Sequence, residues 1–298
     1  MVTSLNAALV AKRLGGDVVG KGRVLCPGPG HSARDRSLSV TLSGSDFLVH
    51  SFAGDDWKDC RDHVADLLGT VGKSRFRLSE VELRKVQEEE YAQAAKKETL
   101  ALTCWREAKP IGGTAAETYL RLRGITCELP DTLRFHPACR HPSNRHFPAM
   151  VALVEGSRRT AIHRTYLRVD GSGKADVETA KAMLGSVAGG AVRLSASGGL
   201  VVVCEGIETG LSLLSGIIPG AVAVWAALST SGMKGLVLPD LSGSSASLLV
   251  ATDGDEAGRV AGTALATRAA MAGWSVSLLP APDGYDWNDV LMTKGVAA

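Results

Sequence analysis

The stretch SLLVATDGDEAGRVAGTALATRAAMAG, residues 247–273, decides the fold class. Its opening SLLVAT is nearly all apolar, the pattern of a strand buried on both faces. Asp253, Gly254 and Asp255 break that run as a sharp polar turn, and residues 256–273 read as one long helix that stops at Gly273. Outward from this unit the same alternation repeats. GLVVVCEG (199–206) is a buried strand, IETGLSLLSGI (207–217) a helix and AVAVWAAL (221–228) a second strand. A short helix follows near Gly232 to Leu236, and SVSLLPAP (275–282) and DWNDVLM (286–292) supply a last strand and a closing helix. Apolar strands alternating with helices predict an α/β region, a parallel sheet flanked by helices.

In an open parallel sheet, chemistry gathers beyond the carboxyl ends of the strands. Glu205 follows VVVC there, Asp253 and Asp255 follow LLVAT, and Asp286 and Asp289 follow SVSLLPAP. Taken singly, each has a plain structural role as a helix cap or as part of an Asp-Gly turn. Taken together, carboxylates crowded on one edge repel one another and either take up protons or bind a cation. Oxygen-only donors select Mg²⁺ or Mn²⁺, which stabilises charge on a phosphate and aligns an attacking oxygen.

Upstream the pattern is mixed. Composition changes from ETYLRLRGIT (117–126) onward, and PAMVALVEGSRRTAIHRTYLRV (148–169) predicts a hairpin turning at Glu155, Gly156 and Ser157. Arg164, Arg168, Lys174 and Lys181 fall just before the acidic region, where forked and point cations suit phosphate oxygens opposite a metal site. FHPACRHPSNRH (135–146) reads as a polar loop, with His136, Cys139, His141 and His146 as an alternative metal cluster. Residues 79–108 begin with Ser79 and a Glu three positions on, a capping box, and continue as a charged helix with no core of its own, a spacer or packing arm. Nearer the start, VLCPGPGH (24–31) is a strand running into a loop, and SLSVTLSGSDFLVHSF (37–52) a hairpin turning at Gly44 and Ser45. In WKDCRDHVADLLG (57–69), Trp57, Cys60, Val64, Leu67 and Leu68 have helical spacing.

The 298 residues, 45% hydrophobic and 21% charged, describe a soluble globular chain of more than one domain and exclude a largely disordered one. No apolar run approaches the roughly 20 residues of a membrane span, and the opening residues do not read as a secretory signal. Six scattered cysteines predict reduced thiols in a cytoplasm. The net charge of +2 is uneven: residues 186–298 hold five Lys/Arg against nine Asp/Glu, a net of −4, which leaves +6 for the rest. A basic front and an acidic back suit a polyanion-binding part beside a metal-binding part. GTVGKS (69–74) fails as a phosphate-binding loop because Leu67 stands where the first glycine belongs, so no helicase ATPase is expected. Aromatic residues amount to only 5%, which argues against base stacking on a row of rings.

CEGIETGLSL (204–213), VATDGDEAGRVAG (250–262) and LLPAPDGYDWNDVL (278–291) together resemble the Toprim domain of topoisomerases, bacterial primases and related nucleases. The resemblance covers about residues 198–294, and DGDEAGR followed by a long helix and an LLP strand is most similar to the DnaG-type primase branch and to short Toprim proteins of phages and plasmids. It implies that Glu205 is the acid/base or metal-adjacent carboxylate, that Asp253 and Asp255 hold metal ions, and that Asp286 and Asp289 are secondary acids. The basic residues Arg164, Arg168, Lys174 and Lys181 resemble the surface that meets template and incoming nucleotide.

CPGPGHSARDRSLSV (26–40) followed by FLVHSFAGDDW (47–57) resembles the zinc ribbon preceding many primases, but Ser51 and Gly54 stand at the second ligand pair. With Cys26 and His31 too widely spaced and His50, Cys60 and His63 the only nearby substitutes, the expectation is a ribbon whose Zn²⁺ has been lost. The resulting division is a ribbon-like segment 1–70, a charged helical spacer 71–110, a basic primase-like subdomain 111–194 and a Toprim domain 195–298. The expected activity is RNA primer synthesis on single-stranded DNA from NTPs, with a separate replicative helicase as a further partner and no membrane. A Toprim nuclease and a catalytically silent DNA-binding adaptor of a mobile element are the alternatives. A topoisomerase is least expected, since no Tyr-bearing cleavage domain is recognised.

Overall fold

The computed structural model describes residues 7–19, 22–43, 46–68, 80–196, 199–241 and 246–296. The turn expected at Gly44 and Ser45, the GTVGKS segment beyond its neighbour Leu68 and the capping residue Ser79 lie outside the described residues. The chain divides into two compact units, residues 1–85 and 86–298. Among the described residues no helix is long and apolar enough to cross a membrane.

The first unit holds helix α1 (Ala7–Leu14), strands β1 (Asp17–Val18), β2 (Arg23–Cys26), β3 (Leu38–Ser43) and β4 (Asp46–Ser51), and helix α2 (Trp57–Leu68). The strands form an antiparallel sheet in the order β1-β2-β3-β4. Val10 and Leu14 of α1 and Cys60, Val64 and Leu68 of α2 pack on Val24, Leu38, Val40 and Phe47 of the sheet. Their three- and four-residue helical spacing puts them on one stripe, while strand alternation turns Val24 and Cys26 to the same face.

The long helix α3 (Glu80–Glu107) crosses the boundary at residue 86, and the second unit continues with β5 (Lys109–Pro110), α4 (Ala115–Leu122), β6 (Leu133–Arg140), β7 (His146–Val154), β8 (Ala161–Tyr166) and β9 (Lys181–Leu184). These strands make an antiparallel sheet in the order β5-β6-β7-β8-β9, and β7 with β8 is the hairpin expected from residues 148–169. Far from lacking a core, α3 seats Ala101, Cys104 and Trp105 against Ala149, Val151 and Tyr166. The segment read as a polar loop is mostly strand β6, whose register slips between His136 and Cys139, so that Pro137 falls in the bulge, where its missing N–H costs no ladder bond.

The last third builds the predicted α/β region from β10 (Val192–Arg193), β11 (Leu200–Cys204), α5 (Ile207–Ser212), β12 (Ala223–Ala226), α6 (Thr230–Gly235), β13 (Ser247–Thr252), α7 (Glu256–Met271), β14 (Ser275–Pro280) and α8 (Trp287–Val296). The strand order is β10-β12-β11-β13-β14, parallel except for the unforeseen edge strand β10. Both faces are covered. Val202, Cys204, Val224 and Ala226 meet Ile207, Leu211 and Trp287, while Val203, Trp225 and Val250 meet Met233, Leu236, Ala261 and Leu265. Each fully buried Val or Leu there contributes about 1.5–3 kcal/mol, so the two layers are the main support of the sheet edge that carries the acids. Close approach of α7 needs Gly262, since a Cβ there would lie 2.3 Å from Thr252 Cγ2.

Candidate metal and phosphate site

The acids expected at the strand ends do sit at one edge. Glu205 follows β11 and its backbone carbonyl accepts from Leu228 N–H, which ties it to the end of β12. Asp253 follows the neighbouring strand β13. The loop after β14 is locked to the Asp253–Asp255 turn by two backbone bonds, Gly254 N–H to Tyr285 O at 2.9 Å and Gly284 N–H to Gly254 O at 3.0 Å. Glycine is required at 254 because a Cβ would lie 1.9 Å from Pro282 O.

Mutual repulsion is visible in the proton affinities. Burial, together with Asp253 and Asp255, raises Glu205 above the usual carboxylate range. Burial first, then Asp286 and Asp255, pushes Asp253 up to about 6. Among the described residues no Lys or Arg is within ion-pair range of either acid, and no three His, Cys, Asp or Glu side chains already stand in metal-ligating geometry. The chemistry of the donors suits a hard divalent cation: all are oxygen, and burial with neighbouring acids opposes the ionisation of Glu205 and Asp253.

The remaining acids have capping duties. Asp255 Oδ1 accepts from Gly258 N–H at 2.6 Å and starts α7. Asp286 Oδ1 accepts from Asn288 N–H and Asp289 N–H at 2.8 Å each, while Asp289 Oδ2 accepts from Asp286 N–H at 3.1 Å, a reciprocal cap of α8. Asp286 also acts electrostatically on Asp253, whereas the bond shown for exposed Asp289 is structural.

Beside the acids, the expected Lys174 and Lys181 meet on Glu208, which the motif reading did not single out. Glu208, one helical turn beyond Glu205, is buried at 7% side-chain exposure. Its Oε2 accepts from Lys181 Nζ of β9 at 3.1 Å, and Lys174 Nζ stands 3.6 Å from Oε1. Tyr119 of α4 donates its hydroxyl to Oε1 at 3.0 Å. Burial alone would raise Glu208, but Lys181 and Lys174 outweigh it and hold the carboxyl down at about 2. Lys181 also acts to lower both Glu205 and Asp253, so its charge is felt at the acidic edge. Arg123 lies over the Tyr119 ring at 5.8 Å. The signal in the sequence was present but ambiguous: Glu208 reads equally as a first-turn helix acid. Asp253 Oδ1 further receives Thr209 Oγ1 at 3.5 Å, and buried Asn288 bridges Ser212 Oγ at 2.9 Å and Arg123 O at 2.8 Å.

Other expected residues lie elsewhere. Arg164 is buried at 7% exposure in β8, donating to Arg140 O at 2.9 Å, so it braces the sheet instead of facing a polyanion. Arg168 is exposed and paired with Asp176 at 2.8 Å. The zinc candidates do not converge. Cys26 and Cys60 are core residues, with the Cys26 thiol pushed up to about 11 by burial, and His50 is exposed with its ring edge on Phe52. His31 is bonded to two carboxylates, Nδ1 to Asp35 at 2.8 Å and Nε2 to Asp55 at 3.2 Å, and Asp55 also receives Ser51 Oγ at 2.8 Å. A hydrogen-bonded network thus occupies the ribbon's ligand positions. His141 is likewise engaged, with Ser143 Oγ and Thr179 O.

The acids lie on a parallel sheet flanked by helices, at the carboxyl ends of its strands. Residues 200–297 match the Toprim domain model, and residues 95–194 match a domain of unknown function (DUF7146). The last third of the chain is therefore a Toprim domain. No curated protein matches the chain. Among solved structures it is similar to a DNA primase domain from Pseudomonas aeruginosa at 17% identity, over 66% of this chain and 75% of that one, with a TM-score of 0.39. It is similar to the Aquifex aeolicus primase zinc-binding and RNA polymerase domains at 15%, over 97% and 79%, with a TM-score of 0.40. The primase fragment of the bacteriophage T7 primase-helicase protein matches at 12%, over 86% and 93%, with a TM-score of 0.38.

Proposed function

We propose that the protein is a primase-type nucleotidyltransferase that joins ribonucleotides on a single-stranded DNA template. The observation that supports this most directly is the proximity of two opposite charge clusters: Glu205, Asp253 and Asp286 on the sheet edge, and Lys174 and Lys181 gathered by Glu208, with Lys181 near enough to act on both Glu205 and Asp253. Divalent ions held by Glu205, Asp253 and Asp255 would supply charge stabilisation for the transferring phosphoryl group. Asp286 acts on the same site through its field.

The chain's own part is positioning. Glu208 gathers two ammonium groups whose free donors suit triphosphate oxygens, and its negative charge opposes the burial that lowers Lys174. Tyr119 holds Glu208 from α4 through its hydroxyl, with Arg123 over its ring, so the clamp is tied to that helix. Single-stranded DNA and NTPs are the partners, and the cytoplasm the site of action.

Incubation with single-stranded DNA, labelled NTPs and Mg²⁺ tests the reading. Template-dependent RNA products that vanish with Asp253→Ala support it. DNA cleavage without NTPs assigns the same acids to hydrolysis, and metal-independent, salt-sensitive DNA binding with neither product assigns the protein to an adaptor role.

A further inference from the structure

Away from the acidic edge, a cleft of about 400 Å³ opens between α3 and β6, lined by Leu100, Cys104, His136, Cys139, Arg140 and Arg164 among others. At its wall the two thiols face each other, Cys104 Sγ 3.6 Å from Cys139 Sγ. A disulfide needs about 2.05 Å between sulfurs, so the gap closes by side-chain rotation together with a small backbone shift. The backbone can supply that shift, because Cys139 sits at the bulge where the register of β6 slips. The other thiols of the second unit are turned to backbone carbonyls, Cys127 to Leu211 O at 3.6 Å and Cys204 to Gly206 O at 3.3 Å. The two Cys residues are 35 positions apart and on different elements, so their approach is a tertiary event that spacing does not show.

We propose that Cys104 and Cys139 form an oxidisable dithiol, which a small hydroperoxide entering this cleft converts to an intramolecular disulfide fastening α3 to β6. The chemistry runs in two balanced steps. Cys139, whose thiolate is favoured by the Cys104 S–H and by the nearby Arg164 guanidinium, attacks one oxygen of hydrogen peroxide. The O–O bond breaks, Cys139 becomes a sulfenic acid, and the departing hydroxide leaves as water with the thiol proton. Cys104 sulfur then attacks Cys139 sulfur, the S–S bond forms, and the hydroxyl leaves as a second water with the Cys104 proton. Two thiols are oxidised and one peroxide is reduced to two waters.

The test uses the full chain treated with hydrogen peroxide, with free thiols counted and cross-linked peptides mapped by mass spectrometry. The expected result is loss of two of the six free thiols, a Cys104–Cys139 peptide, and recovery of both thiols on reduction. Survival of all six, or thiol loss without that peptide, overturns the proposal. In the Cys104→Ser variant, a dimedone adduct on Cys139 is expected. An adduct elsewhere but none on Cys139 overturns its assignment as the attacking sulfur, and the wild-type peptide map decides the pairing even where a variant folds poorly.

Discussion

Lys181 Nζ lies 3.1 Å from Glu208 Oε2, and the same carboxylate holds Lys174 and the Tyr119 hydroxyl. A buried acid with partners from β9, the segment joining β8 to β9, and α4 is a junction between the antiparallel and the Toprim sheets. Its loss leaves two ammonium groups crowded and a phenol unpaired. Removing one partner of a buried ion pair costs about 3–5 kcal/mol, and the partial exposure of the lysines puts Glu208→Ala near the lower end, about 3 kcal/mol. Urea unfolding measures this. Glu208→Gln, which retains the Tyr119 bond, should lose less stability while still weakening NTP binding.

Cation binding should follow the protonation of Asp253. With its carboxyl near 6, divalent affinity should rise as pH passes through about 6 and level off above it. Calorimetric Mn²⁺ titration across that range reads the effect. A flat profile would mean that Asp253 is not a ligand.

Without metal the same residue has the opposite consequence for stability. Its folded-state affinity for the proton exceeds the unfolded value of 3.8, so its stabilising contribution is present below about pH 4 and lost as pH rises through about 6. Asp253→Asn should therefore stabilise the metal-free protein at pH 7.5 and have little effect near pH 4. Added Mg²⁺ should reverse the wild-type deficit, by about 1.4 kcal/mol at ten times its dissociation constant, a gain absent in Asp253→Asn.

Gly254→Ala should disconnect the loops that carry the acids. Its Cβ meets Pro282 O at 1.9 Å, and the clash can be relieved only by parting the 253–255 turn from the 282–286 loop. We expect a loss of about 2–3 kcal/mol and metal affinity reduced at least tenfold, checked by thermal unfolding and Mn²⁺ titration.

The first unit should be indifferent to zinc and sensitive to pH. His31 gains affinity for its proton from the Asp35 bond and the neighbouring Asp55, so its contribution is present below about 6.5 and lost as pH rises beyond its raised value. Asp35 is held low by Ser37 and His31, and its contribution is lost as pH falls below 3.8. Hydrogen-exchange protection factors at Val40 and Val49, corrected for the intrinsic rise of exchange with pH, should be greatest between roughly pH 4 and 6.5, and His31→Gln should remove the upper limit. Chelators should leave that exchange unchanged. Acceleration on chelation would show a bound metal instead of the polar network.

The order of strands and helices from Leu200 to Trp287, the caps and the candidate acids were readable from residue order. Strands of a doubly covered parallel sheet must be almost wholly apolar, and each must end where a polar turn releases the chain, so local pattern carries them. The antiparallel half was less legible. In β6 a histidine and a proline masked a strand because a bulge absorbs the residue that cannot join the ladder. Residue order also left each basic residue equivalent, though Arg164 is interior and Lys181 is paired with Glu208 beside the acids. Those differences, like the union of Glu208 with Tyr119 across 89 residues and of Cys104 with Cys139, were decided by the tertiary structure alone. Burial and the identity of an ion-pair partner depend on which distant elements share a face, a property that no local spacing encodes.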